Sequence, residues 1–253
     1  MKILVTNDDG ILSPGLQVLA GACRDVGDVT VVAPDREQSA QSHALTMTRP
    51  LRPVRRPDGS WQVDGTPTDC VLLAIEAPLV DHKPDFVFSG INHGPNMGED
   101  VLYSGTVSAA MEAVVLGIPG VAFSFAGRRD DLFPSHAELV TSLFRRIVNL
   151  DDIPPNTLLN INLPGIPADE VKGVRVVRMG SRFFQNSMTK HQDPWGRDVY
   201  WIGGGTITWT GEQDTDHAVV REGYVAITPL HLDLTAHAQL DTVRGWALAL
   251  EDG

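Results

Sequence analysis

Two aspartates stand side by side in KILVTNDDG, where Asp8 and Asp9 follow an apolar, β-forming run and precede a glycine. Adjacent carboxylates repel, and near the end of a buried strand each also loses hydration. A divalent cation between or beside them removes both costs. The alternative is a simple turn with Gly10 in which one acid caps the next helix. Further oxygen donors follow the other strands: Ser39 after VTVVAP, and Asn92 and Asn96 after DFVFSG. A pool of carboxylate, hydroxyl and amide oxygens suits a hard ion, Mg²⁺ or Mn²⁺, and not zinc.

The loop SGINHGPNMGEDVLYSGT has glycines at 90, 94 and 98 among asparagines, a composition for a backbone folded closely around a ligand. It lacks the GxGxxG spacing of a dinucleotide site and does not follow the first strand. It ends in Ser104-Gly105-Thr106, where a helix begins. Free N–H groups and the helix dipole make such a start a ready anion site, and an ordinary Ser104 or Thr106 N-cap is the competing reading. A cation at one end of this loop and an anion site at the other suggest a phosphate held between them. His43 and His93 lie close enough in sequence to assist proton transfer, although a lone loop histidine is more often a surface residue. In GTPTDC, Thr66, Pro67 and Asp69 read as a helix start.

Buried strands alternating with helices are needed to bring these loops together. Strands are expected at 2–6, 29–34, 85–90, 120–124 and 157–164, and helices at 14–27, 66–79, 106–117 and 135–150. ALTMT (44–48) and WQVDG (61–65) read as short strands. The opening βαβ unit and the regular alternation predict a Rossmann-like, doubly wound, mostly parallel α/β sheet in a single domain, 1–253. Ligands bind such sheets outside the carboxyl ends of the strands, where the strand order switches. From about 180 to 230 the pattern changes to short strand signals with Gly, Asp and three tryptophans, Trp195, Trp201 and Trp209. This stretch reads as a hairpin-rich extension, either a cap or an oligomerisation device with exposed edges. A helix is expected over 234–251.

The chain has 253 residues and a formal net charge of −12, which argues against DNA or long RNA as a partner. A small anion remains compatible, since local donors override the mean field. Cys23 and Cys70 lie in apolar, helical surroundings and read as reduced thiols. No apolar run approaches the roughly 20 residues of a membrane helix, and the first residues lack a secretory pattern. A cytoplasmic protein is the expectation.

ILVTNDDGILSPG, VVAPDREQSA, GTPTDC, SGINHGPNMGEDVLYSGTVSAAMEA, LNINLP and GYVAITPLHLDLTAH together resemble the SurE (survival protein E) family of 5'/3'-nucleotidases, from residue 3 to about 237. Ala40 and Ala113 stand where glycine is common in the family. The resemblance implies a metal-dependent phosphomonoesterase acting on nucleoside monophosphates and, in some members, on short polyphosphate. It implies Asp8, Asp9, Ser39 and Asn92 as metal ligands, with one Mg²⁺ or Mn²⁺ per subunit. It implies Asn96, Ser104, Gly105 and Thr106 at the phosphate, and dimers or tetramers built through the C-terminal hairpins. The expected chemistry is direct attack of water on phosphorus, with Asp8 or Asp9 orienting the water or taking its proton. A phosphorylated receiver domain fits poorly, because no aspartate follows DFVFSG. A haloacid-dehalogenase-type phosphatase needs DxDx[TV], which NDDGI does not supply.

Overall fold

The computed structural model describes residues 1–77, 79–80, 82–127, 132–149, 153–154, 156–185, 187–203 and 205–246. Its centre is a nine-stranded sheet in the order β3-β4-β2-β1-β5-β6-β7-β13-β8. The strands are β1 (Lys2–Thr6), β2 (Asp28–Pro34), β3 (Pro53–Arg55), β4 (Trp61–Val63), β5 (Phe86–His93), β6 (Gly120–Ala126), β7 (Thr157–Pro164), β8 (Val174–Val176) and β13 (Val225–His231). β4, β2, β1, β5, β6 and β7 run parallel, while β3 and β13 pair antiparallel to β4 and β7. The expected mostly parallel α/β fold is therefore the one observed.

The parallel strands are short and almost wholly apolar because helices cover both faces. α1 (Pro14–Arg24) and α4 (Ala137–Ile147) share one face. There Leu16, Leu19, Ala20 and Cys23 join Phe88, Phe123, Val140, Phe144 and Ile147 in one buried cluster. α2 (Pro67–Glu76) and α3 (Gly105–Val115) cover the other, packing Cys70, Val71, Ala74, Ala109 and Ala113 on Leu4, Val32 and Val87. Each helix start is written in the sequence. Ser13 caps α1 ahead of Pro14, and Thr66 and Asp69 form a reciprocal capping box on α2. Gly15 permits close docking: a Cβ there would lie 2.0 Å from the Ile91 carbonyl oxygen.

β1 is flanked by β2 on one side and by β5 on the other. The strand order thus reverses at β1, and the loops after β1 and β5 face each other across the resulting crevice. β5 runs three residues further than expected, through Ile91 and Asn92 to His93.

Three other expectations need correction. Residues 44–48 form no strand, since the main chain there bonds to the start of α2. The Thr46 N–H and Oγ1 donate to the Asp69 carboxylate, and Thr66 Oγ1 donates to the Ala44 carbonyl. The short antiparallel pair is instead β3 with β4. The expected C-terminal helix is, over the described residues, a 3-10 turn at His237–Gln239 followed by α6 (Leu240–Arg244), and the rest of it lies outside those residues. Finally, the hairpin region is narrower than 180–230. β9 (Ser181–Gln185) pairs with β12 (Thr206–Thr210), and β10 (Met188–Gln192) with β11 (Asp198–Ile202), outside the main sheet. Residues after 215 return to the body as α5 (Asp216–Arg221) and β13. No helix among the described residues is long and apolar enough to cross a membrane.

Candidate active site

The turn after β1 is fixed from within. Asn7, fully buried, donates through Nδ2 to the Gly10 carbonyl at 3.0 Å and to Ser13 Oγ at 2.7 Å. Gly10 supplies a positive φ of 96° at the sharpest point. This pins Asp8 and Asp9 at the mouth of the crevice, and the other loops close on them. The Gln38 N–H donates to the Asp8 carbonyl at 2.7 Å, which brings the Glu37–Ser39 turn alongside. The His93 N–H donates to Asp9 Oδ2 at 3.0 Å, which brings in Asn92. The Thr106 N–H donates to Asp8 Oδ2 at 3.0 Å, and its hydroxyl donates to Oδ1.

Main-chain bonds thus bring the segments that carry Ser39 and Asn92 alongside Asp8 and Asp9, and Gly105 and Thr106 meet Asp8 directly. Ser104 caps α3, its Oγ accepting the Val107 N–H at 3.1 Å. The start of α3 is therefore largely engaged within the protein: Thr106 serves Asp8, and Val107 serves Ser104. The helix dipole acts first on the Asp8 carboxylate. Among the described residues the Gly105 N–H has no protein acceptor. Gly105 also sets the spacing, because a Cβ would come within 2.9 Å of Asp8 Cβ and 3.1 Å of its Oδ2.

Asn96 is held differently. Its Nδ2 donates to Ser124 Oγ on β6 at 2.8 Å, and its N–H donates to Asn162 Oδ1 on β7 at 2.9 Å. Its carbonyl accepts Nδ2 of both Asn160 and Asn162, at 2.8 and 3.0 Å. Asn160 and Asn162 sit two apart on β7, so both project from one face. Ser124, Asn160 and Asn162 are fully buried. Sequence reasoning saw LNINLP as a strand and gave these asparagines no task. Two amides at period two inside an apolar strand were the available signal.

Glu37 was also missed. Its carboxylate accepts Ser39 Oγ–H at 2.6 Å, and its charge raises the pKa of both Asp8 and Asp9. Burial is the largest cause of the rise at Asp8, opposed by the two Thr106 donors. Asp9 is pushed up to about 6, by burial first and then by the Asp8 charge, against the His93 N–H. The histidines divide. His93 borders the site through its main chain, whereas the His43 ring is 2.7 Å from Glu112 on α3.

The strand order and the place of the acids put the molecule in the Rossmann-like α/β class, which binds small ligands at the carboxyl ends of its strands. Its family is narrower than that class. The model for the family described as Survival protein SurE matches residues 3–186, and the chain belongs to that family. It is 56% identical over 249 residues to a protein of Gemmatimonas aurantiaca named 5'-nucleotidase SurE, covering 97% of this chain and 98% of the relative. It is 48% identical over 247 residues to a 5'/3'-nucleotidase SurE of Serratia proteamaculans, covering 97% and 96%. The crystal structure of the SurE protein from Aquifex aeolicus superposes with a TM-score of 0.85 at 42% identity, covering 97% of this chain and 99% of that one.

Proposed function

We propose that this protein is a divalent-metal-dependent nucleotidase that hydrolyses nucleoside 5'- and 3'-monophosphates to nucleoside and phosphate, with short polyphosphate as a further substrate. Family membership and the names of the relatives carry the phosphomonoesterase activity. The observation that carries the metal is the pair Asp8 and Asp9, two adjacent carboxylates whose proton affinity is raised first by burial, and at Asp9 next by the charge of Asp8. Among the described residues no group of three His, Cys, Asp or Glu has metal-binding geometry, so neutral oxygens must complete the donor set. Ser39 and Asn92 supply them. Ser39 Oγ spends its proton on Glu37, and Asn92 Nδ2 donates to the Gly94 carbonyl at 2.9 Å, which leaves an Oγ lone pair and Oδ1 for ligation. These residues fit Mg²⁺ or Mn²⁺. A bound divalent cation neutralises phosphoryl oxygens and acidifies the attacking water.

The protein's own groups do the rest. Asp8 has both oxygens engaged by Thr106, whereas Asp9 has one oxygen beyond the His93 bond, so Asp9 orients the water and takes its proton. The Gly105 N–H and the Asn96 loop stabilise charge on the equatorial oxygens. The water oxygen bonds to phosphorus as the bond to the nucleoside oxygen breaks, and that oxygen leaves with the proton that Asp9 took from the water.

The β10–β11 ribbon exposes Trp195 (78%), Trp201 (70%) and Ile202 (84%), which supports a homodimer or homotetramer joined through it. Free, buried Cys23 and Cys70 support a cytoplasmic setting. The test is phosphate release from AMP, GMP and tripolyphosphate by EDTA-stripped protein, with and without Mn²⁺. Release that depends on Mn²⁺ and is lost in Asp8→Asn at unchanged folding is expected. Full release in excess EDTA would overturn the metal assignment.

A further inference from the structure

A cleft of about 670 Å³ opens beside the loop that follows Asn92. One wall is that loop, His93 to Met97; the other is Trp209 of β12 with His217 and Arg221 of α5. His93 also lines a smaller cavity of about 330 Å³ bordered by Asp9, so the cleft and the acids lie on either side of one residue. The volume of the cleft lies in the range of small-molecule pockets.

The outer wall is built rather than loose. The Trp209 and His217 rings stack at 4.1 Å and 6°, and the Arg182 guanidinium lies 5.4 Å from the Trp209 centroid. Asp216 is fully buried and accepts the Gly98 N–H at 2.9 Å and the Gly180 N–H at 2.8 Å. It thereby ties α5 and the root of the β9–β12 ribbon to the end of the Asn92 loop. Burial, then Arg221, lowers the pKa of His217, and Arg182 adds to this against Asp216. At neutral pH its imidazole is uncharged, with one ring donor and one acceptor. Arg221 makes no ion pair among the described residues, in a chain of net charge −12. Flat rings, a neutral imidazole and a guanidinium match a planar heterocycle that carries hydrogen-bonding edges.

We propose that this cleft is the nucleoside subsite: the base of a nucleoside monophosphate lies against the Trp209–His217 wall with Arg221 at its edge, while its phosphate reaches the acids. The proposal rests on the nucleotidase reading and deepens it. His217 and Arg221 are then specificity-determining residues that tell nucleotides from other phosphomonoesters.

The test compares AMP with ribose 5-phosphate, which keeps the sugar and phosphate and lacks the base. His217→Ala and Arg221→Ala should each lower kcat/KM for AMP about tenfold more than for ribose 5-phosphate, mainly through KM, since stacking of one base is worth about that factor or more. Adenosine alone should bind Asp8→Asn as it binds the parent protein, and should bind His217→Ala at least about tenfold more weakly. Equal losses on both substrates, or unchanged adenosine binding in His217→Ala, would overturn the subsite. So would an Arg221→Ala variant impaired on tripolyphosphate and not on AMP, which would make the cleft a phosphate-chain track. Parent protein that releases phosphate from neither AMP nor ribose 5-phosphate would sink the nucleotidase reading itself.

Discussion

Replacing Asp9 with asparagine should make the metal-free protein more stable while it stops catalysis. The Asp9 carboxyl is raised from 3.8 to about 6 by burial and by the neighbouring Asp8 charge. The folded state therefore holds this proton to higher pH than the unfolded chain does. Stability falls as pH rises from about 4 to about 6 and levels off above that. The full rise corresponds to about 3 kcal/mol at pH 7.5 and well under ~1 kcal/mol at pH 4. Asparagine keeps the oxygen that accepts the His93 N–H and carries no charge at any of these pH values. In EDTA at pH 7.5, Asp9→Asn should melt about 6–12 °C above the parent protein, and the gap should close on acidification to pH 4. Thermal melts followed by circular dichroism across that range check this. A variant no more stable than the parent at pH 7.5, or a gap independent of pH, would refute the electrostatic reasoning. Saturating Mn²⁺ should reverse the order, because only the parent protein keeps its full donor set.

Two further substitutions test how the site is positioned. Asn162→Ala removes both bonds to the Asn96 main chain and strands buried polar groups; it should cost about 1–3 kcal/mol of stability and lower kcat/KM for AMP at least about tenfold. Its Mn²⁺ affinity should stay close to that of the parent, and a matching loss of affinity would show that Asn96 is tied to the metal ligands more directly. Gly105→Ala places a methyl 2.9 Å from Asp8 Cβ. It should cut turnover by an order of magnitude or more, with a melting temperature within a few degrees of the parent (about 1 kcal/mol), and activity near the parental level would contradict the tight fit.

The core of this arrangement was legible because its signals are local. KILVT, VTVVAP and DFVFSG are apolar runs of strand length, and the helices between them announce themselves with Ser13-Pro14 and Thr66-Pro67 caps. Once the alternation is read, the acids, Ser39 and Asn92 must share one edge of the sheet. What escaped depends on partners distant in sequence. ALTMT has strand residues, yet Asp69 and Thr66 offered its backbone better hydrogen bonds. β9 and β10 were missed because their pairing is with β12 and β11 across an exposed ribbon. α5 has a polar start and only six residues, too short for a helical period to show. The support of Asn96 from Ser124, Asn160 and Asn162 needed the strand order, since those residues lie 28 to 66 positions away.

The most direct measurement is a Mn²⁺ titration of the EDTA-stripped protein, followed by the electron paramagnetic resonance of the free ion. One ion should bind per subunit, and Asp8→Asn, Asp9→Asn, Ser39→Ala and Asn92→Ala should each weaken binding at least about tenfold, the scale of losing one ligand interaction. Parental affinity in these four variants would show that the cation, and with it the proposed chemistry, belongs somewhere else.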